Sequence, residues 1–158
     1  MKQVRPRKIL WPTDFSELSM AAGFYASDLC VLFGAELHVI HVCPPPLAPH
    51  IEALLSAEAA SSLTDAKLLQ ATQAHLEQLV AGRLDSGRRV VCAALVGNPW
   101  SEICAYARRT QIGLIVIATH GVTGLRHILI GGTAERVVQH ATCPVLTVKS
   151  LDQIPLGQ

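Results

Sequence analysis

The last third of the chain restricts the fold more than any other feature, because it combines a strand, a glycine-rich loop, a helix and a second strand. The segment reads LIVIATHGVTGLRHILIGGTAERVVQHATCPVLTVK, with a strand predicted over Leu114 to Ala118, a helix over about Ala134 to Ala141 and a strand from Pro144 to Lys149. A helical crossover of this kind joins parallel strands. Glycines let main-chain N–H groups approach an anion, and the following helix turns its positive end toward it. The segment therefore predicts a phosphate-binding α/β unit.

The first elements continue the same alternation. A short apolar strand is predicted at Arg7 to Trp11 and is stopped by Pro12; the loop PTDFS then leads into a helix with Asp14 or Ser16 as its N-cap. Gly34 stands where the glycine after a helix belongs. Apolar residues recur at helical spacing between these ends and predict a helix with one apolar face. They are Leu18, Ala21, Ala22, Tyr25, Ala26, Leu29, Leu32 and Phe33.

The middle of the chain adds a second strand and a long helical stretch. Glu36 to Val42 has apolar residues on both faces, as a strand covered by helices on each side would have, and it runs into Pro44 to Pro46. From Ile51 to Leu84 the composition favours helix, with an interruption near Ser61 and Ser62; whether Ala48 to Ser62 is ordered is left open.

A third strand and its helix complete the pattern. The strand is predicted over Val90 to Val96, and Gly97-Asn98-Pro99 then reads as a turn, an N-cap and the first residue of a helix that reaches Thr110 or Gln111. Strands that alternate with helices in this way predict an α/β fold with a parallel, doubly wound sheet. Ligands bind such sheets at the carboxyl edge, where the C-terminal ends of the strands meet.

Composition limits the function classes. The 158 residues are 50% hydrophobic and 16% charged, which predicts one compact domain over residues 1–158 with a core at about 6–149. A net charge of +1 and only seven aromatic residues argue against nucleic-acid binding, and no run has the length of a membrane span or the form of a signal peptide. Five cysteines lack C-x-x-C spacing, and His38 and His41 would point to opposite faces of one strand, so neither a disulfide framework nor a metal site is expected.

With these elements in place, the chain resembles the universal stress protein family from about Pro6 to Lys149. Four segments carry the resemblance, namely ILWPTDFSE, LHVIHV, VGNPWSEI and AERVVQHATCPVLTV. The resemblance implies a Rossmann-like fold, similar to the adenine nucleotide alpha hydrolases, with strand order 3-2-1-4-5. It also implies a homodimer built through the fifth strands, whose residues are Val145, Leu146, Thr147 and Val148. The cysteines, interpreted as reduced thiols, favour a cytoplasmic location.

The nucleotide-binding branch of that family has the pattern G-x2-G-x9-G-[ST] after strand four. Its positions fall here on Ala118, Gly121, Gly131 and Gly132, so the first and last depart from the pattern, and Thr133 stands one step later. The resemblance places Thr13 and Asp14 near the nucleoside, and it places His41 and Val42 in the base pocket, with adenine met by the main chain of Val42. The candidate residues for binding ATP or AMP, with Mg²⁺, are Pro12, Thr13, Asp14, His41, Val42, Ala118, Thr119, His120, Gly121, Gly124, Gly131, Gly132 and Thr133.

Alternatives stay open at this point. The glycines either contact phosphate or only let the loop turn, and Asp14 either serves the ribose or a divalent ion or is only an N-cap. The departures at Ala118 and Gly132 also fit a dimeric interaction module that does not bind nucleotide. An enzyme that activates substrates with ATP on a related fold would need a Gly/Ser-rich phosphate loop directly after the first strand, and the segment there, PTDFSE, has no glycine. The sequence also shows no nucleophile beside a general base, so such an enzyme is disfavoured, although slow ATP hydrolysis stays open.

Overall fold

The strands form one parallel sheet of five in the order β3-β2-β1-β4-β5, as expected from the sequence. This is a computed structural model, and it describes residues 5–44, 65–84, 89–119 and 132–149. Strands and helices alternate throughout these ranges. They are β1 (Lys8–Pro12), α1 (Glu17–Phe33), β2 (Glu36–Cys43), α2 (Asp65–Arg83), β3 (Val90–Val96), α3 (Pro99–Arg109), β4 (Leu114–Ala118), α4 (Gly132–His140) and β5 (Val145–Val148).

Helices cover both faces of the sheet. In β1, Ile9 and Trp11 belong to a hydrophobic cluster shared with α1 and α2, whereas Leu10 belongs to a second cluster shared with α3 and α4. All three side chains have no exposed surface. A strand buried on both faces needs apolar residues at successive positions, and this explains the short apolar runs in the sequence. The doubly wound architecture is confirmed.

The ends of α1 follow the local sequence signals. The Ser16 hydroxyl accepts a hydrogen bond from the Ser19 N–H at 3.2 Å, so Ser16 rather than Asp14 is the N-cap. Gly34 has φ of 64°, the left-handed conformation that glycine adopts without a steric penalty, and the next N–H, that of Ala35, donates to the Cys30 carbonyl. Both ends of the helix are therefore determined by residues within a turn of them.

The buried face of α1 differs from the one that the large apolar residues predict. The helix buries mainly small residues, together with Met20. Of the large residues predicted on its apolar face, Leu29 and Phe33 pack partly buried against the core, whereas Tyr25 and Leu32 are exposed. Gly23 explains the difference, because a Cβ built on it would lie 2.6 Å from the Trp11 ring. The Trp11 indole N–H also donates to the Ser19 carbonyl at 2.9 Å. Close approach to this tryptophan decides which face of α1 is buried.

Other elements match the predictions with small shifts. The predicted helix over Ile51 to Leu84 is observed as Asp65–Arg83, and its first part lies outside the described residues, as does the predicted interruption. Helix α4 begins at Gly132, before the predicted Ala134. The five cysteines are free thiols. Within the described part of the chain, no helix combines the length and the hydropathy that a membrane span requires.

Candidate functional site

The carboxyl edge of the sheet brings the predicted site residues to the ends of β1, β2 and β4 and to the start of α4. Most of these residues fall inside the described ranges. They are Pro12, Thr13, Asp14, His41, Val42, Ala118, Thr119, Gly132 and Thr133. The rest, which fall outside those ranges, are His120, Gly121, Gly124 and Gly131.

Short-range hydrogen bonds hold the loop after β1. The Thr13 hydroxyl oxygen accepts from the Phe15 N–H and from the Ser19 hydroxyl, both at 3.0 Å. The Asp14 carboxylate accepts from the Ser16 N–H at 3.1 Å and from the Ser16 hydroxyl at 2.6 Å. Asp14 therefore orients the residue that caps α1, and all four hydrogen bonds are made within the loop and the first turn of the helix.

His41 joins this loop to β2. Its Nδ1 lies 2.8 Å from the Thr13 carbonyl oxygen. Because a carbonyl only accepts, Nδ1 carries the hydrogen, and in the neutral ring Nε2 is the acceptor. The role visible in these contacts is to hold the main chain of Thr13 in position.

Phe15 is a residue of this edge that the sequence analysis did not single out. Its ring centroid lies 4.6 Å from that of His41 and 4.7 Å from that of His75 on α2. Its φ of 64° is a conformation that costs a non-glycine residue about 1 to 3 kcal/mol. Phe15 could have been named as a site residue, because it lies in the PTDFS loop that the sequence places after the first strand. No local signal connects His75 to a loop 60 residues earlier. The packing on both sides of Phe15 supports the strained backbone.

Val42 differs from His41 in the direction of its side chain. Val42 and Ile40 pack into the cluster under α3 and α4, whereas Val39 packs into the one under α1 and α2, so the side chains of Val42 and His41 lie on opposite faces of the sheet. The two residues share the edge, but their side chains do not line one surface.

The main chain of Val42 extends beyond its neighbouring strand. The pairing of β1 with β2 ends at Pro12, which lies opposite Ile40, and the Thr13 N–H then donates to the Ile40 carbonyl at 2.8 Å. Along a strand, the N–H and C=O groups of successive residues point alternately to one side and the other. Those of Val42 therefore point to the same side as those of Ile40, toward β1, at a position beyond the last residue of β1. β2 continues to Cys43 through its pairing with β3. A donor and an acceptor thus lie side by side at the edge, as a planar heterocycle needs.

The end of β4 and the start of α4 form the other side of the edge. The Thr119 N–H donates to the Val148 carbonyl at 2.9 Å, and the Thr119 side chain is completely buried, while Ala118 pairs with Val148. Gly132 is the first residue of α4, and no heavy atom of the described residues lies within 4 Å of a Cβ built there. Thr133 is exposed. The first amides of a helix lack intrahelical partners, so this end can donate to an anion.

A second polar cluster lies on the other face of β2, nearer its N-terminal end. His38 is buried, with Nε2 2.8 Å from the Glu36 carboxylate and Nδ1 2.8 Å from the Tyr106 hydroxyl on α3. Burial lowers the pKa of His38, although the hydrogen bond to Glu36 acts in the opposite sense, and burial raises the pKa of Tyr106. His38 and His41 thus lie on opposite faces, as predicted. Among the residues that the structure describes, no group of three or more His, Cys, Asp or Glu could hold a metal ion.

Comparison with known proteins identifies the family. The model of the universal stress protein family matches residues 6–149. The chain is 36% identical over 143 residues to universal stress protein MJ0531 of Methanocaldococcus jannaschii, covering 90% of this chain and 82% of that protein. Among solved structures, it superposes on the universal stress protein UspA from Lactobacillus plantarum with a TM-score of 0.72 and 28% identity, covering 91% of this chain and 98% of that one.

Two further solved structures are of ligand complexes. A universal stress protein in complex with cAMP is similar with a TM-score of 0.67 and 18% identity, covering 90% of this chain and 97% of that one. The universal stress protein from Archaeoglobus fulgidus in complex with dAMP has a TM-score of 0.63 and 19% identity, covering 92% and 99%. At these identities the likeness concerns the fold. On the family match and the identity to its relatives, the chain belongs to the universal stress protein family.

Proposed function

We propose that this protein binds an adenine nucleotide, ATP or AMP, at the carboxyl edge and acts as a homodimeric regulator of a cytoplasmic stress response. The observation that carries the proposal is the main chain of Val42, which extends past β1 beside a loop already fixed by His41. The complexes of family members with cAMP and dAMP support an adenine nucleotide as the ligand class.

The base is held by hydrogen bonds to the Val42 main chain. Adenine offers an acceptor, N1, and a donor, the N6 amine, on one edge, and these match a peptide N–H and a C=O. Pro12, Thr13 and Asp14 border the nucleoside, and His41 keeps that loop in place through Thr13. Guanine presents O6 and N1–H instead, so its acceptor and donor occur in the reverse order along the edge.

The phosphates are bound at the start of α4. The amides of Gly132 and Thr133 and the positive end of the helix favour an anion there. Ala118, Thr119, His120, Gly121, Gly124 and Gly131 complete the loop in this proposal. A Mg²⁺ ion would accompany the triphosphate, with Asp14 as the nearest carboxylate among the site residues. The hydrogen bonds of the Asp14 carboxylate with Ser16 show that this side chain also holds the loop after β1.

The homodimer forms through β5. This strand stands at the end of the sheet order, and Leu146 on it is 38% exposed. An apolar edge strand has a free hydrogen-bonding ladder that a second copy can extend. The pairing residues are Val145, Leu146, Thr147 and Val148. We place the protein among regulators rather than enzymes, with ATP hydrolysis slow if it occurs.

The test is calorimetric titration of the full chain, freed of nucleotide, with ATP, AMP, GTP and purine riboside triphosphate. We expect ATP to bind, GTP to bind poorly, and the analogue without the N6 amine to bind about fivefold to tenfold more weakly than ATP, the loss of one neutral hydrogen bond. Chromatography of the supernatant from precipitated protein checks for nucleotide that copurifies. Equal binding of ATP and this analogue would contradict base recognition through Val42.

A second function is a dimeric interaction module that does not bind nucleotide. The residues that favour it are Ala118 and Gly132, which replace a glycine and a hydroxyl residue of the family's pattern. The same titration separates the two functions, since the module would release no heat with any nucleotide and would still sediment as a dimer.

A further inference from the structure

Helix α1 exposes an unusual amount of apolar surface. Of the six large apolar side chains that are exposed in the described part of the chain, four belong to α1. Spacings of one, seven and eight residues from the first of them place all four on one side of the helix. We call these four the α1 outer face: Phe24 (46% exposed), Tyr25 (38%), Val31 (60%) and Leu32 (72%).

The charge of α1 is entirely acidic. Its charged residues are Glu17 and Asp28, and it contains no Lys or Arg. Asp28 is exposed and stands four residues after Phe24 and four before Leu32, so it lies in the middle of the α1 outer face. An apolar surface with a central carboxylate favours a partner that brings a cation to the same place.

Of the five segments outside the described residues, four lack either that cation or enough apolar residues to cover the face, and the fifth ends on the other side of the sheet. Residues 45–64 and 150–158 contain Glu52, Glu58 and Asp152 but no Lys or Arg. Residues 1–4 and 85–88 include Lys2 and Arg88, but each segment is only four residues long, and together they contain two large apolar residues, Met1 and Val4, against the four of the face. Residues 120–131 include Arg126, but they end at α4, which packs on the opposite face of the sheet from α1.

A second copy of the chain is also a poor match. A symmetric contact between two such faces would place the two-fold axis near their centre. The two Asp28 carboxylates would then meet across the axis within an apolar contact. Like charges in such a place oppose association, and no basic residue of α1 is available to separate them.

We propose that the α1 outer face is a docking surface for an amphipathic helix of another protein, whose apolar stripe contains a Lys or Arg that pairs with Asp28. Such a helix would lay its apolar side chains against Phe24, Val31 and Leu32 and its cation against the carboxylate. The contact lies apart from the carboxyl edge and does not depend on nucleotide binding.

The test uses two synthetic helical peptides of 18 residues with the same leucine stripe, one carrying Lys and the other Glu at the positions between the leucines. We expect the full chain to bind the Lys peptide in fluorescence anisotropy at least tenfold more tightly than the Glu peptide. Phe24→Ser and Leu32→Ser should each weaken binding about tenfold, whereas Val138→Ser, at an exposed valine on α4, should leave it unchanged. Asp28→Lys should reverse the preference between the peptides.

Several results would overturn the proposal. One is equal binding of both peptides to the wild type, and another is a Lys-peptide affinity that is the same in the Leu32→Ser variant. Sedimentation velocity tests self-association, and a dimer that dissociates in Phe24→Ser or Leu32→Ser would assign the face to a second copy. Flotation with phosphatidylcholine vesicles that is lost in the same variants would assign it to a lipid surface. Melting temperatures within a few degrees of wild type keep misfolding from explaining a loss of binding.

Discussion

Replacing Gly132 with serine should strengthen nucleotide binding. Gly132 occupies the position where the family pattern has Ser or Thr, and among the residues that the structure describes, none has a heavy atom within 4 Å of a Cβ built there. The new side chain therefore fits without repacking. Its hydroxyl would lie at the first residue of α4, beside the amides proposed to hold phosphate.

The magnitude follows from the charge of the ligand. A hydrogen bond to a charged group contributes about 1.5 to 3 kcal/mol, which corresponds to a ten- to hundredfold decrease in Kd. Gly132→Ala is the matched control, because it adds the Cβ and the gain in helix propensity without the hydroxyl. Its Kd should stay within about twofold of the wild-type value, since about 0.4 kcal/mol changes Kd only twofold.

The assay is titration calorimetry of the three proteins with ATP, supported by thermal unfolding without ligand. The unfolding data separate a general stabilisation, which Ser and Ala can share, from a change in binding. If the Ser and Ala variants bind ATP equally well, the start of α4 does not face the phosphates, and the anion site proposed there is refuted.

Three further predictions follow from the core and the sheet edge. Gly23→Ala should lower the free energy of unfolding, measured by urea denaturation, by about 1 to 3 kcal/mol, because its Cβ would lie 2.6 Å from the buried Trp11 ring. An unchanged free energy would mean that α1 does not approach the Trp11 ring this closely. Burial lowers the pKa of His38 in the folded state, so the unfolded chain takes up the proton first as the pH falls below about 6.5, and the free energy of unfolding decreases on acidification. His38→Gln should make the free energy of unfolding less dependent on pH between 7 and 5.5. An equal pH dependence in both proteins would contradict this prediction. Leu146→Asp places a charge in the middle of β5. If the proposed homodimer forms through this strand, the variant should sediment as a monomer where the wild type sediments as a dimer, whereas a variant that stays dimeric would exclude pairing through β5.

Local patterns account for what could be predicted of the fold. The predicted and observed bounds agree for β3 and β4, and α1 begins and ends where Ser16 and Gly34 place it. These signals act over one or two turns of chain, so they can be read without knowing what packs on the element. The strand order was available only through the resemblance to a family, because periodicity does not say which strands are neighbours.

The candidate site was predicted in its position more than in its contacts. The carboxyl edge followed from the alternation of strands and helices, and Val42 and Asp14 came from the family resemblance. The contacts of His41 with Thr13 and Phe15 were not foreseen, since Thr13 precedes His41 by 28 residues. Pairings over such separations depend on how strands are placed side by side.

The sequence by itself determined that this chain forms alternating strands and helices in a parallel sheet, because apolar spacing and capping residues act locally. The tertiary structure alone decided which surfaces those elements bury. Helix α1 has large apolar residues on one side and small ones on another, and it turns the small side inward because Gly23 lets it approach the Trp11 ring. Met20 is buried with the small residues, whereas Phe24, Tyr25, Val31 and Leu32 are left outside, because a close-packed contact with a buried ring has room for small side chains only.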